Sequence, residues 1–511
     1  MSLTDVRLYY GKIQIMNIKF LISSDIHGYL FDHLYSDNKP LDKGLLKIAS
    51  YFKANKDDNT IVIDNGDTIE GSPILKYFMA NEKGDNLMKV ALDYTYDYVN
   101  IGNHDFNYGS AYLNDYLNSL KVKCICGNVF YKNKRLGEEY IIKNIGGKKI
   151  ALIGCTTSFI NVLEKKENLK DIEIIDEYEF VKKTIEKVKD VDLKVVIYHG
   201  GLNTNADNEY IGGTKENQGY EMCRDLDIDI LISGHQHRSI SYKCFNTYVS
   251  QCKSNGDEFV EINYDFDSKD CEIKLLQPKN DIDKELLDYY LPYEEKTQKW
   301  IDEVIGSTDY DLTIKNEFNA RLNKAPIVSF INQIQKEYTG ADLSACSIAD
   351  GATGFKKNIT LRDLLLTYVY PNNLLKVKID GKTLKKYLEK CAEYFDIEND
   401  EIVVAEDYLK PIPKGFNYDM VDGIDYTIDV SKNRGSRIVD LKYQGKDVKD
   451  DDIFTLAINN FRKSGAFGFD MMKDLEVLST SNEEIVDIIY NYISRLKNVV
   501  VDYKKNIKVV K

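Results

Sequence analysis

The chemistry in this sequence gathers around histidine, of which the chain has only six. Five of them lie in short polar clusters: Asp25-Ile26-His27, Gly102-Asn103-His104-Asp105, His199-Gly200-Gly201 and Gly234-His235-Gln236-His237. A fifth cluster, Asn65-Gly66-Asp67, supplies a carboxylate in the same setting, behind a short apolar run. His33, in a tyrosine-containing loop without that setting, reads as a surface residue. Each cluster has an ordinary reading when taken singly: D-x-H as a turn, G-D as a strand stop, a lone histidine as a hydrogen-bonded core residue. All five in order, each at the end of a strand-like run, supply two shells of oxygen and nitrogen donors of the kind that Mn, Fe, Zn or Co accept. Two such ions about 3.5–4 Å apart can clamp a phosphoryl group and lower the pKa of a water held between them. Asp67, the lone acid of its cluster, suits the bridging position. Asn103 is a weak carbonyl ligand. His104 beside it can face the substrate, to stabilise the transition state or protonate the leaving oxygen.

The elements that must position these residues are legible as Ile- and Val-rich runs at 18–24, 60–63, 98–101, 150–153, 194–198 and 228–232, separated by charged helical stretches. That pattern predicts packed strands covered by helices, with the chemistry on strand-end loops. Strand-like segments continue to residue 276, and a charged helical stretch at 283–304 holds the only tryptophan, Trp300. The expected organisation is therefore a catalytic domain over 1–282, a linker helix and hinge over 283–304, and a second, mixed α+β domain over 305–511. Domain closure about the hinge is expected if a substrate spans both domains.

The formal charge of −14 disfavours a protein that coats nucleic-acid backbone. An anionic small molecule can still be captured by bound divalent ions, the largest local charges in such a site. The nine cysteines are scattered without C-x-x-C spacing, which predicts a reducing compartment. No apolar stretch approaches the ~18 residues of a membrane span, and the first ten residues lack a secretory core. The expectation is a cytoplasmic protein as written, with no membrane partner; a signal removed ahead of this sequence would make it periplasmic or extracellular. Met16 is an alternative start. Oligomeric state is not legible.

The five clusters resemble the calcineurin-like metallophosphoesterase signature D-x-H, G-D, G-N-H-[DE], H, G-H-x-H. The resemblance implies a four-layer β-sandwich flanked by helices, and two metal shells. Asp25, His27, Asp67 and His237 would bind one ion, and Asp67, Asn103, His199 and His235 the other. His104 matches the family's catalytic histidine, and the nucleophile is implied to be metal-activated water. The second half is similar to the substrate-binding domain of the two-domain 5′-nucleotidase family, through Tyr368-Val369-Tyr370-Pro371-Asn372, Phe416-Asn417-Tyr418-Asp419, Gly435-Ser436-Arg437 and Asn459-Asn460-Phe461-Arg462-Lys463-Ser464-Gly465. The resemblance implies that Tyr370 and Phe461 sandwich the base, although with 37 tyrosines and 20 phenylalanines an unplaced ring is ordinarily packing.

Two departures bear on the substrate. In the 5′-nucleotidases proper an aspartate partners the catalytic histidine, where this chain has Asn107. The family's N-G-G-x-R arginine is also absent, the matching stretch reading Ile348-Ala349-Asp350-Gly351-Ala352-Thr353-Gly354. Both look more like the 2′,3′-cyclic-nucleotide 2′-phosphodiesterase/3′-nucleotidase branch, and a cyclic diester, with one charge fewer than a monoester, needs less cationic help. That activity is the expectation. A 5′-nucleotidase or nucleotide-sugar hydrolase, and a non-catalytic nucleotide sensor, are the alternatives.

Overall fold

Ile18, Phe20 and Ile22 are buried on one face of the strand Asn17–Ser23, as the period-two alternation of a strand requires. They join one apolar core with Ile61 and Ile63, Ile150 and Leu152, Leu193, Val195 and Ile197, and Ile230 and Ile232. These residues come from two different sheets. In the computed structural model, which describes residues 17–35, 38–82, 86–204, 208–210, 212, 215–370, 372–410 and 413–511, the first sheet is six-stranded. Its order is Cys271–Leu276, Phe259–Asp265, Asn17–Ser23, Thr60–Asp64, Tyr98–Val99 and Lys123–Cys124. The second six-stranded sheet runs Ile240–Cys244, Thr247–Gln251, Ile230–Ile232, Leu193–His199, Lys148–Thr156 and Ile141–Ile145. The alternative start Met16 and the stretch before it lie outside the described residues.

The strands that carry the polar clusters pair in parallel: Asn17–Ser23 with Thr60–Asp64 and that with Tyr98–Val99 in one sheet, Lys148–Thr156 with Leu193–His199 and that with Ile230–Ile232 in the other. Parallel pairing brings their C-terminal ends, and hence the clusters, to one edge. The outer face of the second sheet, with Ile153, Val196 and Leu231, packs on Phe180, Val181 and Met222 of the helices Glu177–Ile185 and Gly219–Asp225. On the first sheet Phe259 meets Phe52 of the helix Leu45–Asn55, ring centroids 5.4 Å apart. Sheet faces buried on both sides account for the near-continuous apolar strands, and the expected four-layer sandwich is present.

The chain divides into two compact units between Pro292 and Tyr293, inside the helix Lys284–Ile301. In the first unit Tyr290 Oη bonds Leu87 O at 2.8 Å. Trp300 packs on the core of the second unit. The segment Leu34–Lys39 also belongs to the second unit, where Tyr35 donates to Glu294 at 2.9 Å and its carbonyl accepts from Arg362. The second unit is mixed α+β, as expected. It has a five-stranded sheet in the order Met420–Asp422, Leu343–Cys346, Ile453–Asn459, Asn373–Asp380, Val477–Glu484, with the helices Pro326–Thr339, Gly381–Ala392 and Ile485–Leu496.

Candidate active site

Five of the seven residues expected to bind metal have left-handed backbone: Asp25 (φ 55°), His27 (49°), Asp67 (56°), His235 (70°) and His237 (55°). This conformation is uncommon for residues with a side chain. It follows from the sharp exit each strand makes, and it is held by backbone bonds across the sheet edge: Asp25 N to Gly66 O at 2.9 Å and His27 N to Asp67 O at 2.8 Å. Gly66 and Gly102 are required by close approach. A Cβ on Gly102 would fall 2.1 Å from Asp67 Oδ1, and one on Gly66, itself at φ 91°, would fall 2.3 Å from Gly102 N. Asp105 completes the brace, its carboxylate accepting from the backbone N–H of Gly102, Asp67, Thr68 and Ile69 at 2.8–3.1 Å.

The side chains converge in two groups of potential ligands, Asp25 with His27 and His237, and Asp67 with His199 and His235. In the first group His27 Nε2 and His237 Nε2 stand 3.2 Å apart, and His237 Nε2 is 3.5 Å from Asp25 Oδ1. In the second, His199 Nε2 is 3.2 Å from Asp67 Oδ2. Asn103 Oδ1 joins this group at 2.7 Å from His235 Nδ1 and 3.3 Å from His199 Nε2. Donors that share one ion at about 2.0–2.1 Å lie roughly 3 Å from one another, so these spacings fit a metal. The decisive atom is Asp67 Oδ2, which is buried with no directed hydrogen bond and also lies 3.9 Å from His27 Nε2 of the other group. A buried carboxylate oxygen without a directed hydrogen bond is costly, and a cation between the groups would satisfy it together with the imidazole nitrogens it faces.

Outer contacts fix the rings. His199 Nδ1 meets the Asn65 carbonyl at 2.7 Å, so Nδ1 carries the proton and Nε2 faces the site. His235 Nε2 lies 3.0 Å from Glu216 Oε1, leaving Nδ1 toward Asn103. The electrostatics follow from burying acids and bases together. Burial alone would raise Asp25 and Asp67, but His199 chiefly outweighs it and holds both carboxyls well below the usual carboxylate range. Burial would lower His199, but Asp67 and Asp25 push it up to about 10. His27 goes the other way: its burial outweighs Asp67 and brings it down to about 3.

His104 borders both groups without joining either. Its backbone N–H donates to Asp67 Oδ1 at 2.7 Å and its ring lies 5.4 Å from that of His27. The side chain is 35% exposed, enough to reach a bound molecule. Its Nδ1 meets Asn107 Oδ1 at 2.9 Å. Burial would lower its pKa, but Asp67 and Glu70 outweigh that and raise it. His33 is half-buried and stacks on Phe31, apart from these groups.

In the second unit Tyr370 and Phe461 flank one ring, Phe416, at 6.2 and 6.4 Å between centroids, and Phe467 closes on Phe416 at 5.5 Å. Tyr370 and Phe467 are exposed. Phe461 rides on a short helix fixed by its neighbour Arg462, which is buried, paired with Asp419 at 2.5 Å and stacked on Phe469 at 3.7 Å. In the stretch that lacks the family arginine, Asp350 is held at 2.7 Å by the buried Arg321, which also bonds the Ile348 carbonyl. Phe416, Phe467, Glu216 and the bracing role of Asp105 were not singled out from sequence. Phe416 lay inside a quoted motif, and Asp105 inside another.

A two-sheet sandwich with paired Asp/His clusters at its strand ends defines the class, and sequence comparison agrees. Residues 18–239 match the calcineurin-like phosphoesterase family and residues 304–474 the 5′-nucleotidase C-terminal domain. The structure superposes on a Staphylococcus aureus protein provisionally named a 5′-nucleotidase, with TM-score 0.88 and 31% identity, covering 97% of this chain and 100% of that one. The chain belongs to the two-domain 5′-nucleotidase family of calcineurin-like phosphoesterases, and is accordingly a metal-dependent phosphoesterase.

Among individual relatives, it is 27% identical to the 2′,3′-cyclic-nucleotide 2′-phosphodiesterase/3′-nucleotidase of Haemophilus influenzae, over 94% of this chain and 85% of that protein. It is 24% identical to the trifunctional nucleotide phosphoesterase YfkN of Bacillus subtilis, over 95% of this chain but only 38% of that longer protein. Among the described residues, no helix is long and apolar enough to cross a membrane.

Proposed function

We propose that this protein hydrolyses phosphate esters of small nucleotides, acting as a 2′,3′-cyclic-nucleotide 2′-phosphodiesterase with 3′-nucleotidase activity. The observation that carries the hydrolytic reading is Asp67 Oδ2, buried without a directed hydrogen bond and facing imidazole nitrogens of two convergent donor groups. Asp25, His27, Asp67 and His237 would hold one divalent ion, and Asp67, Asn103, His199 and His235 the other; Mn, Zn, Fe and Co all suit such ligands. Bound there, the ions supply Lewis acidity and neutralise phosphoryl charge. The chain's own residues orient and exchange protons. His104 Nδ1 is engaged by Asn107, so Nε2 is the ring nitrogen left to stabilise or protonate the leaving oxygen. Tyr370 and Phe461 stack the base, each ring meeting Phe416 edge to face.

The substrate choice is supported by the Haemophilus relative and by the amide at 107 where 5′-nucleotidases have a carboxylate. The likeness to the Staphylococcus protein favours 5′-nucleotides as the second reading. The nine cysteines are unpaired, which supports a reducing compartment. The test is a panel of 2′,3′-cyclic AMP, 3′-AMP and 5′-AMP, assayed with Mn²⁺ and with chelator. Turnover of the first two, lost in chelator, is expected. Faster turnover of 5′-AMP than of either would replace this reading by the second, and no metal-dependent turnover would end both.

A further inference from the structure

Asn107 does more than stand where a carboxylate is missing. Its side chain has two ends, and each is occupied. Oδ1 faces His104 Nδ1 at 2.9 Å, and Nδ2 donates to Glu164 Oε2 at 2.7 Å. An amide can be turned end for end at little cost, so something must decide which end meets the histidine. A carboxylate accepts hydrogen bonds and an amide NH2 donates them. With Glu164 behind it, only one orientation satisfies both contacts, and that orientation presents an acceptor to His104 Nδ1. The ring must then carry its proton on Nδ1, and Nε2 faces away from Asn107.

Glu164 is itself held in place. Its Oε1 accepts from the backbone N–H of Lys165 at 2.7 Å and from Asn168 Nδ2 at 2.9 Å. Asn168 Nδ2 also donates to the Asn107 carbonyl at 3.0 Å, and the Asn168 carbonyl accepts from Ser110 N at 2.9 Å. Thus 164–168 is stitched to 107–110 by contacts on both backbone and side chain. The other nearby acid, Glu70, has its Oε2 4.0 Å from His104 Nδ1, outside hydrogen-bonding range.

We infer that Glu164 is a positioning residue for His104, acting through the Asn107 amide, so that a carboxylate 57 residues away in sequence orients the ring in place of an aspartate in direct contact. The inference rests on the phosphoesterase reading, since it gives His104 a task at the leaving oxygen.

The test measures kcat and KM separately on the nucleotide ester that the wild type turns over fastest, with thermal midpoints for every variant. Glu164→Ala should lower kcat by on the order of 10²-fold, the scale of a misplaced reacting group, with little change in KM. Glu164→Gln keeps the shape but only one acceptor, so that with its carbonyl toward Asn107 its NH2 meets the Lys165 N–H and Asn168 Nδ2, and kcat should fall between wild type and Glu164→Ala. Asn107→Asp sets two carboxylates against each other and should fall like Glu164→Ala. Adding Glu164→Gln to Asn107→Asp should then restore activity, because the new amide donates to the new carboxylate. This recovery is a coupling that a merely structural role would not produce.

Near-normal kcat in Glu164→Ala, or a double variant no better than Asn107→Asp alone, overturns the inference. If Glu164→Ala does not fold, the paired variant compared with Asn107→Asp alone decides it, because there the new amide donates to the new carboxylate while its carbonyl still accepts from Lys165 N and Asn168 Nδ2. Asp67→Asn runs alongside. A wild type without turnover removes the phosphoesterase reading itself, whereas turnover abolished by Asp67→Asn but intact in Glu164→Ala removes only the assignment of Glu164.

Discussion

Asp67→Asn separates a metal site from a cluster of buried polar residues that merely hydrogen-bond. The substitution keeps shape and one contact, because the amide oxygen can still accept from His104 N, as Oδ1 does at 2.7 Å. It replaces Oδ2, now 3.2 Å from His199 Nε2 and 3.9 Å from His27 Nε2, by an NH2 that offers protons where a ligand must offer electrons. Since Asp67 faces both donor groups, both should lose affinity. Ligand linkage gives the magnitude: an ion at a hundred times its Kd stabilises the folded state by about 2.7 kcal/mol, which for a unit of this size is roughly 5–10 °C in Tm. Metal-stripped wild type titrated with Mn²⁺ in a melting assay should show at least that rise, and Asp67→Asn little or none. Without metal the variant should melt lower than wild type, because it removes the carboxylate that faces the buried His199, so the metal-induced shift within each protein, not the absolute midpoint, is the readout. Loss of several kcal/mol of transition-state stabilisation lowers kcat by on the order of 10³-fold. A variant with an unchanged metal-induced shift, or within about tenfold of wild-type turnover, refutes the two-ion reasoning.

Asp64 offers a pH test outside the ligand set. Burial lifts its carboxyl from 3.8 to about 7, although Thr68 and Ser23 donate to it. Below about pH 4 both folded and unfolded chains carry this proton. As pH rises toward 7 the unfolded chain ionises first, so stability falls, by roughly 4 kcal/mol in all, and levels off above that. Asp64→Asn should therefore gain on the wild type between about pH 4 and 7 in melts of metal-free protein; a constant difference across that range contradicts the assignment. In the second unit, Tyr370→Ala and Phe461→Ala should each raise KM for nucleotides by roughly 5- to 150-fold, the equivalent of about 1–3 kcal/mol of stacking, and leave p-nitrophenyl phosphate unaffected. Equal effects on both substrates would mean that the rings do not bind the base.

How much of this was legible depended on whether a contact left a local trace. Asp25, His27, Asp67, Asn103, His199, His235 and His237 each sit where an apolar strand stops, and parallel pairing brings such stops to one edge. Local pattern plus topology was enough to assemble them. The strand runs were also visible because alternate residues such as Ile18, Phe20 and Ile22 must fill one core, although Tyr98–Val99 proved shorter than the run that predicts it. Glu164 and Glu216 were invisible for the opposite reason. Each is one acid among 82 Asp and Glu residues, lies in a loop without periodicity, and acquires its role only when folding sets it against Asn107 or His235. The placement of Leu34–Lys39 in the second unit likewise left no mark in the sequence, because it depends on Tyr35 meeting Glu294 and Arg362 far along the chain.

The backbone at the donor residues shows what the sequence motifs encode beyond ligand chemistry. A strand that simply continued would send alternate side chains to opposite faces of its sheet, and Asp25 and His27, two apart, would then share a face but point into the layers. The left-handed turn at each of them, and again at Asp67, His235 and His237, redirects the side chains off the sheet edge toward one point. Such a conformation costs about 1–2 kcal/mol for each residue with a Cβ, and persists only where surroundings over-determine it. Here they do: Asp25 N, His27 N and Gly28 N bond successive carbonyls of Gly66, Asp67 and Thr68, while the Asp105 carboxylate gathers the N–H groups of Asp67, Thr68 and Ile69 with that of Gly102 in its own loop. The glycines at 66 and 102 are small because these loops touch, and Asp105 follows His104 because the loop that presents the histidine also ties down Asp67. The G-D and G-N-H-D clusters are thus one bracing unit, divided by sequence and rejoined by the sheet, and the strain it sustains keeps acids and imidazoles converged before any substrate arrives.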